Sequence, residues 1–186
     1  MATQSIFDTI RTAAADRDLS INWYKKKVAE LSNKISAARL MRSGKLNKAP
    51  KFNKLHFFRY DPKLKATLPY YDTFPLVMPI QTAPGGFLGI NFHYLPMTLR
   101  LKLLDTVVDF SNNTKFDEST RLAVDYSKLK KFNIIKPTLK RYLAGRVKTQ
   151  FRRIDADEFT VAALLPVQRF KKASASEVYA DSRKMI

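Results

Sequence analysis

Cysteine is absent from the 186 residues, so the chain has no disulfide, no thiol nucleophile and no thiolate to offer a metal. That absence fits a reducing cytoplasm. Histidine occurs twice, at His56 and His93, each in an apolar, strand-like setting. No H-E-x-x-H motif, Cys/His cluster or acidic metal-binding run accompanies them, so neither a metal nor a cofactor is expected. Glycine is also scarce, with five residues, and Pro84-Gly85-Gly86 with Gly89 lacks the Lys and Ser/Thr of a phosphate-binding loop. Long apolar runs are missing too; none approaches the roughly 20 residues that span a bilayer. Met1-Ala2-Thr3-Gln4-Ser5 lacks the basic and apolar regions of a signal peptide. A soluble protein, not secreted by that route and without a membrane partner, is expected.

Acids are the remaining shortage. Sixteen Asp and Glu face thirty-four Lys and Arg, a formal net charge of +18. Such a balance points to polyanions or to acidic surfaces on neighbouring proteins. The excess sits in two blocks. Lys25 to Lys65 holds thirteen basic residues against Glu30 and Asp61, a net +11. Lys128 to Arg153 holds ten and no acid, a net +10, which leaves the rest of the chain near −3.

What the chain does contain is enough apolar residue, 45%, for a core. Tyr60 to Leu95 is the organising stretch, because turn signals and short apolar runs alternate there as in paired strands. Asp61-Pro62 opens a turn. Phe74 to Ile80 is apolar but carries two prolines, which predicts an edge strand. Pro84-Gly85-Gly86 turns the chain into the best strand candidate, with Phe87, Leu88, Ile90, Phe92 and Tyr94. Leu55 to Tyr60 reads as the first strand of the globular part.

Upstream, a short amphipathic helix is predicted from about Ser5 to Asp16, and a longer one from an N-cap at Ser20 to about Met41. Ile21, Tyr24, Val28, Leu31 and Ile35 form a narrow apolar seam on the second, opposite Lys25, Lys26 and Lys27. The seam suits packing on its own domain, docking on a neighbouring subunit or, with few bulky apolar groups, a membrane surface. Arg42 to Lys54 reads as a basic linker. Downstream, Pro96 opens a helix over Met97 to Phe110 with Leu99, Leu103 and Val107 inward. Leu122, Val124 and Tyr126 suggest a strand, and Pro137 to Leu143 a helix stopped at Gly145. Phe151 to Ile154 reads as extended, Asp155 or Asp157 as the cap of a turn through Phe159 and Leu164. Ser174-Ala175-Ser176-Glu177 matches a capping box. The expectation is α+β: a small antiparallel sheet or partly open barrel flanked by short helices. Residues 1–48 would form a helical arm and basic linker, and 49–186 the globular domain.

No enzymatic constellation emerges. Asp61 and Asp72 lie near aromatics as an acid/base pair would, but their sequence context is that of turn caps. His93 reads as a core or interface histidine. Protein-interface candidates are Ile21, Tyr24, Val28, Leu31, Ile35, Tyr70, Tyr71 and Phe74, the last three suiting a buried core equally. Candidates for a polyanion or an acidic partner are Lys25, Lys26, Lys27, Arg42, Lys45, Lys48, Lys51 and Lys54. The second block adds Lys128, Lys130, Lys131, Lys140, Arg141, Arg152 and Arg153, where cations interleave with aromatics as in single-strand binders. No helix-turn-helix, zinc-finger, RRM or KH signature supports base-specific reading.

Tyr60-Asp61-Pro62-Lys63, Leu68-Pro69-Tyr70-Tyr71-Asp72, Phe74-Pro75, Gly86-Phe87-Leu88-Gly89-Ile90-Asn91 and His93-Tyr94-Leu95 resemble a family of small T-even-like myovirus proteins. Leu165-Pro166-Val167 and Ala180-Asp181-Ser182-Arg183-Lys184 share the resemblance, which covers about Leu55 to Lys184, with a weaker echo in the arm. It implies a non-enzymatic virion or assembly component of a contractile-tailed phage. Its partners would be other phage structural proteins, with DNA as the second candidate and no small-molecule substrate. A tail or baseplate part is the first expectation. The alternative is a DNA-associated protein of head completion, the neck or the genome ends.

Overall fold

The computed structural model describes residues 41–42, 44–111, 132–155 and 159–186. The two N-terminal helices with their seam and lysines, the strand expected at Leu122 to Tyr126, and Lys128, Lys130, Lys131 and Asp157 lie outside the described residues. The fold is α+β. Strands β1 (Lys45–Asn47), β2 (His56–Phe57), β4 (Leu76–Ala83), β5 (Gly86–Asn91), β6 (Leu139–Leu143) and β7 (Phe151–Arg153) form one sheet in the order β1-β7-β2-β4-β5-β6. Strands β3 (Tyr71–Asp72) and β8 (Phe170–Lys171) form a second. Every pair is antiparallel. Among the described residues three α-helices accompany the sheets: α1 (Met97–Ser111), α2 (Phe159–Leu164) and α3 (Ala175–Met185).

The alternation of strand side chains splits the interior in two. Leu76, Met78, Ile80 and Ile90 point to the face covered by Leu103, Leu104 and Val107 of α1 and by Phe159, Ala162 and Ala163 of α2. Val77, Phe87, Tyr142 and Phe151 point the other way and pack with Phe58 and Tyr60 into an aromatic cluster. Each fully buried Leu, Ile or Phe contributes about 1.5–3 kcal/mol. Arg100 of α1 is fully buried between the helices, which no sequence pattern announced. Its guanidinium donates to the carbonyls of Leu95 (2.7 Å) and Ala163 (3.0 Å) and to the Tyr179 hydroxyl (2.7 Å), tying α1, α2 and α3 together.

Local chemistry explains several elements. Ala83 pairs with Gly86, so the β4–β5 loop is Pro84-Gly85, and Gly85 takes the φ of +72° that the third position of a type II turn requires. At Gly86 a Cβ would sit 1.8 Å from the Tyr142 carbonyl oxygen, so only glycine lets β5 approach β6 there. The capping box opens α3 as expected: the Ser174 hydroxyl accepts from the Glu177 N–H, and the Glu177 carboxylate accepts from the Ser174 N–H.

Four expectations need correcting. The strand read through Phe92 and Tyr94 ends at Asn91, whose side chain accepts from the His93 N–H and caps a 3-10 turn over Phe92–Tyr94. Strand β4 is interior, not an edge. Pro75 precedes it, and Pro79 stands at a register shift beyond the end of the two-residue β2, so neither ring displaces a ladder hydrogen bond on that side. Leu139 to Leu143, read as helix, is β6, paired residue for residue with Ile90 to Gly86. Within the stretch read as a linker, Lys45–Asn47 pairs with β7 and forms an edge strand.

Candidate nucleic-acid interface

The segment between β2 and β3 crosses the aromatic face of the sheet and returns as Tyr70-Tyr71-Asp72 opposite β6. Between it and β6 lies a cleft of about 670 Å³. Five tyrosines line it: Tyr60, Tyr70, Tyr71, Tyr94 and Tyr142. Tyr60 and Tyr142 meet edge to face at 4.9 Å, and Tyr70 lies 5.9 Å from Tyr94. Lys63 and Lys140 supply positive charge, whereas Arg141 lines the cleft from β6 but turns its guanidinium to the Pro84 carbonyl (2.6 Å). Asp72 is the single acid among the described residues of the lining.

Lys140 is the distinctive cation. Its side chain leaves β6 on the aromatic face, and Nζ sits 4.1 Å above the Tyr94 ring. No carboxylate among the described residues forms an ion pair with it. Burial without a counter-ion lowers its pKa to about 8. The neighbouring phenols move the other way, burial pushing Tyr94 and Tyr142 well above the ordinary tyrosine range. The hydroxyls of Tyr60 and Tyr142 accept from Leu143 N (3.0 Å) and Asn91 Nδ2 (3.0 Å), which leaves each phenol's own proton for an acceptor.

The tyrosine wall is anchored by Asp72. One carboxylate oxygen accepts from the backbone N–H of Phe74 (2.9 Å) and Arg169 (3.1 Å), and the other accepts from His93 Nδ1 at 2.7 Å. Burial works against the ionised carboxyl, but the His93 ring and the two N–H groups outweigh it and hold its pKa low. His93 is wholly buried, which keeps the imidazole neutral, and its Nε2 has no hydrogen-bond partner among the described residues. The pair therefore fixes a turn, as the sequence context of Asp72 suggested, and offers no proton to the cleft. Asp61 differs, since its side chain binds Lys65 Nζ (2.9 Å). Lys172, held at φ +71°, clamps the segment ahead of Tyr70 through the carbonyls of Ala66 (2.8 Å) and Leu68 (2.9 Å).

Of the residues singled out in the sequence, the fold gathers Tyr70, Tyr71, Lys140 and Arg141 at this cleft. Phe74 is elsewhere, stacked on Phe57 at 5.3 Å with the Arg169 guanidinium above it. Lys45, Arg152 and Arg153 collect at the opposite edge, where Lys45 pairs with Arg153 and Arg152 Nη1 donates to the Gly44 carbonyl (3.0 Å). Arg42, Lys48, Lys51 and Lys54 are exposed along the chain leading into and out of β1. In this region His56 is buried and its pKa falls to about 4, chiefly through that burial. Five strand spacings of about 4.8 Å put the two edges roughly 24 Å apart. Sequence reasoning did not single out Lys63, Tyr60 or Tyr94 as site residues. The signal lay in the tyrosine-rich run and the Lys-Arg-Tyr triplet, but nothing local links them.

Among the described residues no group of His, Asp and Glu is arranged to hold a metal, and no helix is long and apolar enough to cross a membrane. No curated protein and no solved structure matches the chain. A family does: the one described as phage T4 terminal DNA protecting protein matches residues 3–184. With nearly the whole chain matched, the protein belongs to the family of phage T4 terminal DNA protecting proteins.

Proposed function

We propose that the protein binds the ends of phage DNA and shields them, without catalysing a reaction, in the virion or during its assembly in the host cytoplasm. The family match over residues 3–184 carries this reading, because its description names terminal DNA and its protection. The net charge of +18 supports it, as does a cleft whose one acid is fully engaged. The tail or baseplate role expected first from the resemblance gains nothing from the match, which concerns DNA termini. The alternative, genome-end binding, is the reading it favours.

Lys45, with the half-buried Arg152 and Arg153, at the β1/β7 edge and the exposed cations of the flanking chain would draw in the phosphate backbone by releasing its counterions. Five such contacts would give a log–log salt slope of roughly −4.5. Long-range attraction alone does not distinguish an end from an interior. Occluding the terminus, where an exonuclease must start, is the second requirement, and the cleft is the concave feature suited to it. The test is digestion of linear duplex by an exonuclease in the presence of the protein, with circular duplex as competitor. Slowed digestion, with circles competing at least ~10-fold less well than linear DNA, is the expected result. Equal competition would overturn end binding.

A further inference from the structure

We propose that the tyrosine cleft receives the terminal nucleotide of a DNA strand, with its base against Tyr70 and Tyr71 and its phosphate at Lys140 and Lys63. This rests on the end-binding reading and says where an end differs from an interior.

The first argument is size. A volume of about 670 Å³ falls within the range of roughly 300–1,000 Å³ that accommodates one compact ligand. A duplex does not fit such a space, nor does the extended groove of a single-strand binder, which tracks about 4–16 nucleotides. One unstacked nucleotide does. The end of a duplex supplies it most cheaply, because a terminal base gives up stacking on one side only.

The second argument is chemical complementarity. Tyrosine faces accept any base by stacking, worth about 1–3 kcal/mol per base. Tyr70 and Tyr71 are half-buried and so present partly open rings. The phenolic protons of Tyr60 and Tyr142 remain to donate, since both hydroxyls accept from the protein. Lys140 has no carboxylate partner among the described residues, and Asp72 is already committed to His93, Phe74 and Arg169. An anion therefore meets uncompensated positive charge and no free acid.

The third argument is rigidity. The wall is held by Asp72 through His93 and by Lys172 through the Ala66 and Leu68 carbonyls. A cleft that is already formed loses little on ordering when a ligand enters.

The experiment places 2-aminopurine at the terminal, second or central position of a linear duplex and titrates the full chain, with circular duplex as competitor. Lys140→Met and Tyr71→Leu are compared with Lys140→Arg, which keeps the charge, and with Arg152→Gln on the far edge. The expected result is a several-fold fluorescence change confined to the terminal position. It should be lost, with end affinity down about tenfold, in Lys140→Met and Tyr71→Leu, partly restored in Lys140→Arg and kept in Arg152→Gln. Thermal melting of each variant separates loss of the cleft from loss of the fold. End preference with an unchanged terminal signal in the cleft variants, or an equal signal at the central position, overturns the cleft assignment and leaves end binding standing. No preference for linear DNA over circles overturns the end-binding reading itself.

Discussion

The two edges of the six-stranded sheet carry similar residues and arrange them differently. At the β1/β7 edge, Lys45 faces Arg153 and Arg152 reaches the Gly44 carbonyl. At the β6 edge, Lys140 is drawn down onto the Tyr94 ring beneath a wall of tyrosines. In the sequence Lys140, Arg152 and Arg153 belong to one basic block. At the first edge Lys45 is exposed while Arg152 and Arg153 are half-buried and Arg153 meets Asp155 at 3.5 Å, so each cation adds a little to attraction and nothing to shape. The second half-buries Lys140 against the Tyr94 ring with no carboxylate partner among the described residues, which costs stability unless an anion arrives. Charge of the first kind tunes encounter; charge of the second kind defines a site.

Breaking the wall of the β6 edge should have the largest effect. Asp72→Ala leaves His93 and two backbone N–H groups without their acceptor, and urea unfolding should report a loss of about 3–5 kcal/mol.

Lys140→Met sharpens the comparison from the other side. Removing a half-buried cation that has no carboxylate partner among the described residues should stabilise the fold by about 1–3 kcal/mol at pH 7 while weakening DNA-end binding. The pH dependence has a definite sign. Between the folded value of about 8 and the ordinary lysine range, the unfolded chain still holds a proton that the folded chain has released. Wild-type stability should therefore rise with pH across that window, and the rise should vanish in the variant. End affinity should move oppositely, falling as pH climbs through about 8. Asp72 is held low and does not interfere. The facing phenols Tyr70, Tyr94 and Tyr142, raised by burial, oppose the rise only as unfolded tyrosine titrates at about pH 10, so the step is read between about pH 8 and about pH 9.

A smaller effect comes from beneath the cleft. Ser182 of α3 donates to the Tyr94 carbonyl at 2.7 Å, so the helix supports the ring under Lys140. Ser174→Ala removes the N-cap and should cost about 1 kcal/mol by thermal or urea unfolding.

The smallest effects belong to the open edge. Glutamine at Lys45, Arg152 or Arg153 should weaken binding only about two- to fivefold each and flatten the salt slope by about 0.9 for each phosphate no longer neutralised. Linear and circular DNA should be affected alike. A loss specific to ends would erase the distinction between the edges.

Much of the scaffold was legible in the residues because its signals are local. The Ser174–Glu177 box, Pro96 before α1 and the Pro-Gly turn before β5 are each set within a few residues of chain. Strand β6 was misread for the opposite reason. Leu139 and Leu143 sit at helical spacing ahead of Gly145, and only pairing with β5, some fifty residues earlier, makes the segment extended. The prolines of β4 misled in the same way, since whether a missing N–H matters depends on how far the neighbouring strand extends.

By itself, then, the sequence determined the composition of the surface, its excess of cations over acids, the absence of thiol chemistry and the helix caps, all properties of residues and their immediate neighbours. The tertiary structure alone decided which cations stay exposed, that Lys140 is half-buried against a ring, and that Arg100 is fully buried. Tyr70, Tyr94 and Lys140 are far apart in the chain and meet because β6 pairs with β5 and Asp72 finds His93. Burial, and with it the pKa of Lys140, is set by what packs around a group, and that is fixed only once the chain has closed on itself.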